Sequence, residues 1–76
     1  MEQKIIRILR GIDADINYAT ETSLFDKGLI DSLAIVEIVV ALEDKFDIEI
    51  DAEDIIGENF NSVATIKALV EKSQNN

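Results

Sequence analysis

The sequence predicts an all-α fold, a small four-helix bundle with a long first loop and a short third helix. The chain of 76 residues has no proline and only three glycines, and its apolar residues recur every three or four positions along most of its length. Only one stretch alternates like a strand, and it has no second strand with which to pair. We therefore expect a single domain over residues 1–76, with a frayed tail from about residue 73.

The helices are placed by apolar spacing and by capping residues. The first is predicted over about Glu2–Asp13 and the second over Ser32–Phe46. A short turn of helix fits Asp51–Ile56, with Gly57 after it, and the last helix starts near Ser62, which can serve as its N-cap. The residues predicted to face the core are Ile5, Leu9, Ile12, Ile16, Ile35, Val39, Leu42, Phe46, Val63, Ile66, Leu69 and Val70, with Ile38 at the edge of its stripe.

Two connections stand out. Residues 46–51, "FDIEID", alternate apolar and acidic side chains, and without a partner strand we interpret them as an extended connector. Residues 17–31 have no periodicity, although most connections in compact domains are only about four to six residues long. Loops of this length are usually functional or anchored, and the candidate anchors are Leu24, Phe25, Leu29 and Ile30.

The acidic charge is concentrated in one part of the chain. The net charge is −9, and Asp31–Glu58 holds ten acids against one base, Lys45, so this segment accounts for all of it. Such a field repels nucleic acid and anionic membranes and steers basic protein surfaces toward the segment. Since the most apolar window, "AIVEIVVAL", is short and interrupted by Glu37, we expect no membrane span and a cytoplasmic monomer.

Composition also limits the chemistry. The chain has no cysteine and no histidine, so disulfides, thiolate metal sites, the commonest general base and the commonest zinc ligand are all missing. A domain of this size is too small for a core plus an enclosed active site. We therefore expect a module that is not an enzyme.

The second helix has more apolar surface than a small bundle needs. Leu33, Val36 and Val40 fall opposite the core stripe, and we call these three residues the docking strip. They are bordered by three acids that we call the acidic rim: Glu37, Glu43 and Asp44. An exposed apolar strip with an acidic rim is typical of a docking surface, whereas burial of the helix on both sides is the structural alternative.

Ser32, at the start of this helix, has three possible roles. It can cap the helix, although Asp31 can do so equally well. As a nucleophile it lacks a base, since there is no histidine. As an acceptor for a covalently attached group it needs only exposure, and a helix start offers free N–H groups and a positive dipole end to a phosphate ester.

The segment "LFDKGLIDSLAIVEIVVALEDKFDIEI" resembles the central part of the acyl carrier proteins, whose attachment motif is Asp-Ser-Leu at the start of an acidic second helix. Here that motif is Asp31, Ser32 and Leu33. The likeness covers the whole chain, including the long first loop and the valine-rich last helix. The motif alone is weak, but it becomes specific together with its spacing to Glu37 and Phe46, the length and the charge.

The resemblance implies a function. Ser32 would receive 4′-phosphopantetheine from coenzyme A through a separate magnesium-dependent phosphopantetheinyl transferase, and the thiol of that arm would carry an acyl or aminoacyl group as a thioester. Asp31 would help to orient the modifying enzyme. The docking strip and the acidic rim would meet basic docking patches on acyl- or aminoacyl-transferring partners. The carrier would act by tethering, which raises the effective concentration of cargo at each docked enzyme.

The residues around the motif leave the cargo open. Fatty-acid carriers usually have Gly-Ala before the motif and an acid after it, whereas here Leu29 and Ile30 precede it and Ala34 follows it. Leu-Leu-Asp-Ser before an acidic helix is similar to the D-alanyl carrier proteins, although those tend to have Phe in place of Leu33. Leu-Asp-Ser-Leu is also similar to the motif of free-standing carriers of secondary pathways. Fatty-acyl and D-alanyl or other aminoacyl cargo both remain possible.

Parts of the sequence also fit two functions of other classes. The chain can be an unmodified acidic helical adaptor that uses the same strip. It can also be read as a calcium-binding EF-hand, but Ala52 replaces the required glycine and Asp54 the usual apolar residue. The acids that fit the EF-hand count are Asp47, Glu49, Asp51 and Glu58.

Overall fold

The structure, a computed structural model, describes residues 1–75 and is all-helical over that range, as predicted. Its three α-helices are α1 (Glu2–Ile12), α2 (Ser32–Phe46) and α3 (Val63–Gln74). Two 3₁₀ helices, Ala52–Asp54 and Gly57–Phe60, lie between α2 and α3. None of the helices in residues 1–75 is long and apolar enough to cross a membrane.

The predicted short third α-helix is replaced by these two 3₁₀ helices, so the four-helix count is not confirmed. Their bonds run from Asp54 N to Asp51 O at 2.9 Å and from Asn59 N to Ile56 O at 3.0 Å. Gly57, expected after the helix, instead begins the second 3₁₀ helix. A Cβ at this position would overlap the ring of Phe25, and such short, interrupted segments favour the tighter 3₁₀ turn.

The core forms around α1, which packs against both α2 and α3, while the second 3₁₀ helix contacts α2 and α3. The predicted inward faces of α2 and α3 are confirmed, except that Phe46 is only half-buried. Ile38, predicted at the edge of the stripe, is fully buried. The largest fully buried side chains are Phe60, Ile5, Leu9, Leu24, Ile38, Leu42, Ile66 and Val70.

The end of α2 explains why residues 46–51 do not form a strand. Asp47 closes the helix in the left-handed conformation, with φ of 53° and ψ of 53°. Glu43 then holds the following residues, because its carbonyl accepts from Ile48 N at 3.2 Å and its Oε2 accepts from Ile50 N at 3.0 Å. The connector is extended, as predicted, and the buried Ile50 anchors it to the core.

The last helix begins as the sequence predicts but ends later. Ser62 forms a capping box with Thr65, in which each side chain accepts a bond from the other residue's backbone N–H. The expected fraying from residue 73 is wrong for the first two residues, because α3 continues to Gln74. Ser73 is buried and its hydroxyl donates to Leu69 O at 2.9 Å. Residue 76 lies outside the described residues.

Candidate functional site

Asp31 and Ser32 occupy the start of α2, and Asp31 is the cap. Its Oδ1 accepts a hydrogen bond from Ala34 N at 2.8 Å, and its backbone is extended, with φ of −108° and ψ of −176°. This is the geometry of an N-cap residue. The capping interpretation of Ser32 is therefore wrong. Ser32 is the first helical residue, is exposed, and takes no part in the cap.

The loop before Ser32 is fixed by its own hydrogen bonds. Leu24 is fully buried, and its carbonyl accepts from Leu29 N at 2.9 Å and from Ile30 N at 3.2 Å. Gly28 supplies the positive φ of 73° that this turn requires. Ile30 is buried as predicted, but Leu29 is 41% exposed and is not an anchor. The turn therefore ends at a buried residue just before the Asp-Ser pair.

The docking strip lies in solvent. Leu33 is 68% exposed, Val36 55% and Val40 61%, so the alternative in which α2 is buried on both sides is wrong. Since a helix rises about 1.5 Å per residue, Ser32 and Val40 are about 12 Å apart along the axis. The exposed serine and the exposed apolar residues thus belong to one continuous helix.

The three acids of the acidic rim differ in environment. Glu37 and Asp44 are exposed. Glu43 is half-buried, and its Oε2 holds the backbone N–H of Ile50. Glu43 therefore has a structural role that the sequence pattern did not reveal. Its partner, Ile50, lies seven residues later in the sequence, beyond the end of α2, where helical periodicity no longer applies.

One acid of the first 3₁₀ helix, Asp54, is paired with a lysine of α3. Lys72 Nζ donates to both carboxylate oxygens of Asp54 at 2.9 Å. The hydrogen bond and charge of Asp54 raise the pKa of Lys72, with smaller contributions from Asp51 and Glu53. Within residues 1–75, no group of three or more acidic side chains is arranged to hold a metal ion.

Four surface cavities are formed by residues other than those of α2 within residues 1–75. One of about 330 Å³ lies between the start of α1, the first loop and the start of α3. Two others, of about 510 and 250 Å³, lie between α3 and parts of the segment that joins α2 to α3. A further cavity, of about 380 Å³, lies between α1 and the start of the first loop. None of these four is lined by Ser32 or by any other residue of α2.

A family model described as the phosphopantetheine attachment site matches residues 3–71. The chain belongs to this family. This phosphopantetheine carrier is also 31% identical over 75 residues to a D-alanyl carrier protein of Lactobacillus acidophilus, covering 97% of this chain and 95% of that protein. It is 36% identical over 76 residues to a D-alanyl carrier protein of Streptococcus uberis, covering 99% and 96%. No solved structure matches the chain.

Membership establishes the general role. The chain is a carrier protein, its cofactor is covalently attached 4′-phosphopantetheine, and it is a carrier rather than a catalyst. As a carrier domain it interacts with transferases and acyl-transferring enzymes. The Asp-Ser pair fits the group, because it combines an exposed hydroxyl with a helix start whose positive dipole end favours a phosphate.

Proposed function

We propose that Ser32 is the attachment residue and that residues 1–76 act as one carrier domain. The observation that carries this proposal is the exposed Ser32 at the first position of α2, beside a cap that Asp31 already provides. A phosphate ester on this hydroxyl lies next to the unpaired N–H groups of the first turn, which favour negative charge. The bound arm supplies a thiol that carries an acyl or aminoacyl group as a thioester.

The docking strip and the acidic rim are the proposed contact surface for partner enzymes. Burial of Leu33, Val36 and Val40 against an apolar partner surface contributes affinity, because each is more than half exposed in the free chain. Glu37 and Asp44 provide most of the steering toward basic patches, since they are exposed. Glu43 contributes less, because one of its oxygens is already engaged.

The cargo we propose is a small aminoacyl group, with D-alanine as the first candidate. The relatives named above are D-alanyl carrier proteins that match this chain over nearly its whole length. A long acyl chain has more apolar surface to shield from water than an alanyl group does.

Intact-mass measurement tests the attachment residue. The purified apo chain is incubated with coenzyme A, Mg²⁺ and a promiscuous phosphopantetheinyl transferase. We expect a mass gain of one phosphopantetheine in the wild type and in Ser23→Ala, and none in Ser32→Ala. Ser23 is the control because it is a serine of the loop that precedes α2 and lies outside the helix start. A gain retained in Ser32→Ala, or absent from the wild type, contradicts the proposal.

Loading of the holo chain tests the cargo. It is offered D-alanine, L-alanine or a long-chain fatty acid, each with ATP and a ligase that activates that carboxylate. We expect a hydroxylamine-sensitive mass gain with D-alanine that exceeds the gain with the other two. Loading with the fatty acid alone would show that the aminoacyl assignment is wrong while leaving the carrier role intact.

A further inference from the structure

We propose that Asn61, just before α3, is a positioning residue for the attachment serine; this inference rests on the proposed role of Ser32. Asn61 Oδ1 accepts hydrogen bonds from Phe25 N at 2.9 Å and Asp26 N at 3.1 Å. Its Nδ2 donates to Asp26 Oδ2 at 3.2 Å, and its carbonyl accepts from Leu24 N at 2.9 Å. We call these four bonds the Asn61 clasp.

The bonds of the clasp lead directly to Ser32. Leu24, held by the carbonyl of Asn61, is the residue whose own carbonyl closes the turn onto Leu29 and Ile30. Ile30 is buried and is followed by Asp31, which caps α2. The position of the serine relative to the rest of the molecule is therefore set at one side by α2 and at the other by a turn fixed to Asn61.

A second contact joins the same two segments. The ring of Phe25 lies over Gly57, where a Cβ would overlap it. Phe25 therefore holds the loop through its side chain, while Asn61 holds it through the backbone N–H groups of Phe25 and Asp26. Together they connect residues 24–26 to residues 57–61, across a sequence separation of about 35 residues.

Asn61 is not needed to start its own helix. The N-cap of α3 is Ser62, whose capping box with Thr65 satisfies the first turn. Every bond of the Asn61 side chain goes to the loop that precedes the serine. Loss of the clasp should therefore loosen the serine loop more than it weakens α3.

The test measures kcat/KM for phosphopantetheine transfer together with hydrogen exchange of the backbone amides at residues 28–32. Asn61→Ala removes the side-chain part of the clasp. Asn61→Asp keeps the oxygen that accepts from the loop but places a second carboxylate against that of Asp26, which is repulsive. Adding Asp26→Asn to Asn61→Asp restores the hydrogen bond between the two side chains. The amide introduced at position 26 then donates to the carboxylate introduced at position 61.

The matched control is Asn59→Ala. Asn59 lies in the second 3₁₀ helix and, like Asn61, is half-buried. Its side chain donates to Asp54 O at 2.7 Å and not to the loop. Its substitution therefore removes a side-chain hydrogen bond in the same region but none of the bonds of the Asn61 clasp. The Tm of every variant is recorded, so that general destabilisation is visible.

We expect Asn61→Ala, which removes three hydrogen bonds, to lower kcat/KM and amide protection each by at least about tenfold, since one net hydrogen bond corresponds to roughly that factor. Asn61→Asp, which loses one of them, should lower both by about tenfold. The N61D/D26N double variant should recover both to within about twofold, and Asn59→Ala should leave both unchanged. Wild-type values in Asn61→Ala, or no recovery in the double variant, would overturn the proposal. So would losses that follow Tm in all variants, Asn59→Ala included.

The two proposals fail in different ways. A wild-type chain that takes no phosphopantetheine contradicts the role of Ser32, whereas the clasp is still tested by the exchange of the amides at residues 28–32 in the apo chain. Normal transfer to Ser32 in every variant, with unchanged exchange, contradicts the clasp alone.

Discussion

Asp31 and Ser32 differ in their roles at the start of α2, since only Asp31 caps the helix. The carboxylate of Asp31 satisfies the N–H of Ala34, so the helix does not need the hydroxyl of its neighbour. Ser32 remains exposed at the positive end of the helix dipole. Because Asp31 caps the helix, the hydroxyl of Ser32 is left free for the attachment that we propose.

Substitutions of Asp31 separate its capping role from its proposed contact with the transferase. Asp31→Ala should destabilise the chain by about 1 kcal/mol, the usual cost of a lost N-cap. Asp31→Asn keeps a capping oxygen and should stay within about 0.5 kcal/mol of the wild type. Urea unfolding measures both.

The transfer kinetics of the same two variants test the contact with the transferase. Both should lower kcat/KM by about tenfold, because the charge that orients the enzyme is gone. If Asp31→Asn transfers at the wild-type rate, Asp31 is only a cap.

Residues whose partners are close in sequence could be predicted, and those with distant partners could not. Asp31, Ser32 and Leu33 follow from a local motif. Leu29 was wrongly predicted as an anchor, because apolarity alone does not tell which of two adjacent loop residues faces the core. Asn61 was missed because its partners lie about 35 residues away and polar residues in loops have no periodicity.

The last turn of α1 is bound by Tyr18, a residue of the first loop. Tyr18 is buried. Its hydroxyl is the donor to two carbonyl oxygens, Leu9 O at 3.0 Å and Asp13 O at 2.6 Å. The helix ends at Ile12, one residue before the prediction. The neighbouring Gly11 lies inside α1 and does not end it. Tyr18 thus ties the long loop to the last turn of α1.

Tyr18→Phe should destabilise the chain by about 1–2 kcal/mol, because the carbonyls of the buried Leu9 and the half-buried Asp13 lose this donor. Burial, with the charge of Asp13, raises the pKa of Tyr18 above its ordinary value near 10. The unfolded chain therefore releases this proton first, and wild-type stability falls as pH rises from about 10 through the folded pKa.

Urea unfolding of both chains between pH 8 and 11 tests this account of Tyr18. The difference in stability between wild type and Tyr18→Phe should be constant up to about pH 10 and then shrink. A difference that stays constant to pH 11 would show that the hydroxyl is not protected by burial.

Among the secondary-structure elements, the helices with strong apolar periodicity were predicted well, whereas the short segments were not. The bounds of α2 match the prediction, since its core stripe and cap are both local features. A short turn of helix was expected over Asp51–Ile56, whereas one 3₁₀ helix covers Ala52–Asp54 and a second, which was not predicted, begins at Gly57 under the close approach of the Phe25 ring. That approach depends on tertiary packing, which no local pattern encodes.

The charge of the whole molecule is polarised. Asp31–Glu58 accounts for the net charge of −9, and within residues 1–75 the ion pairs involve only two acids, Asp54 with Lys72 and Glu21 with Lys27. Most of the acids near the docking strip are therefore available to attract a basic surface. This long-range attraction acts mainly on the rate of encounter and weakens with salt.

Reversal of one rim charge tests the steering. Glu37→Lys should lower the association rate with the transferase by about tenfold at low salt and much less at high salt. Glu71→Lys, an exposed site on α3, changes the net charge equally and is the control. Stopped-flow kinetics measure both. Equal effects of the two variants would mean that net charge, and not the rim, controls docking.

The sequence predicted the all-helical class, the carrier family and the exposed strip, because these depend on composition, a motif and helical spacing. The positions of the cavities and the Asn61 clasp could not be predicted. Both depend on contacts between residues far apart in the chain, which for the clasp join the first loop to Asn61.

Fragmentation mass spectrometry of the modified wild-type chain tests the central claim most directly. After reaction with coenzyme A and the transferase, the intact protein is fragmented along its backbone and the added mass is located. We predict that every fragment containing Ser32 carries the phosphopantetheine and that no fragment lacking it does. An added mass on fragments that exclude Ser32, such as those with only Ser23, Ser62 or Ser73, would contradict the account.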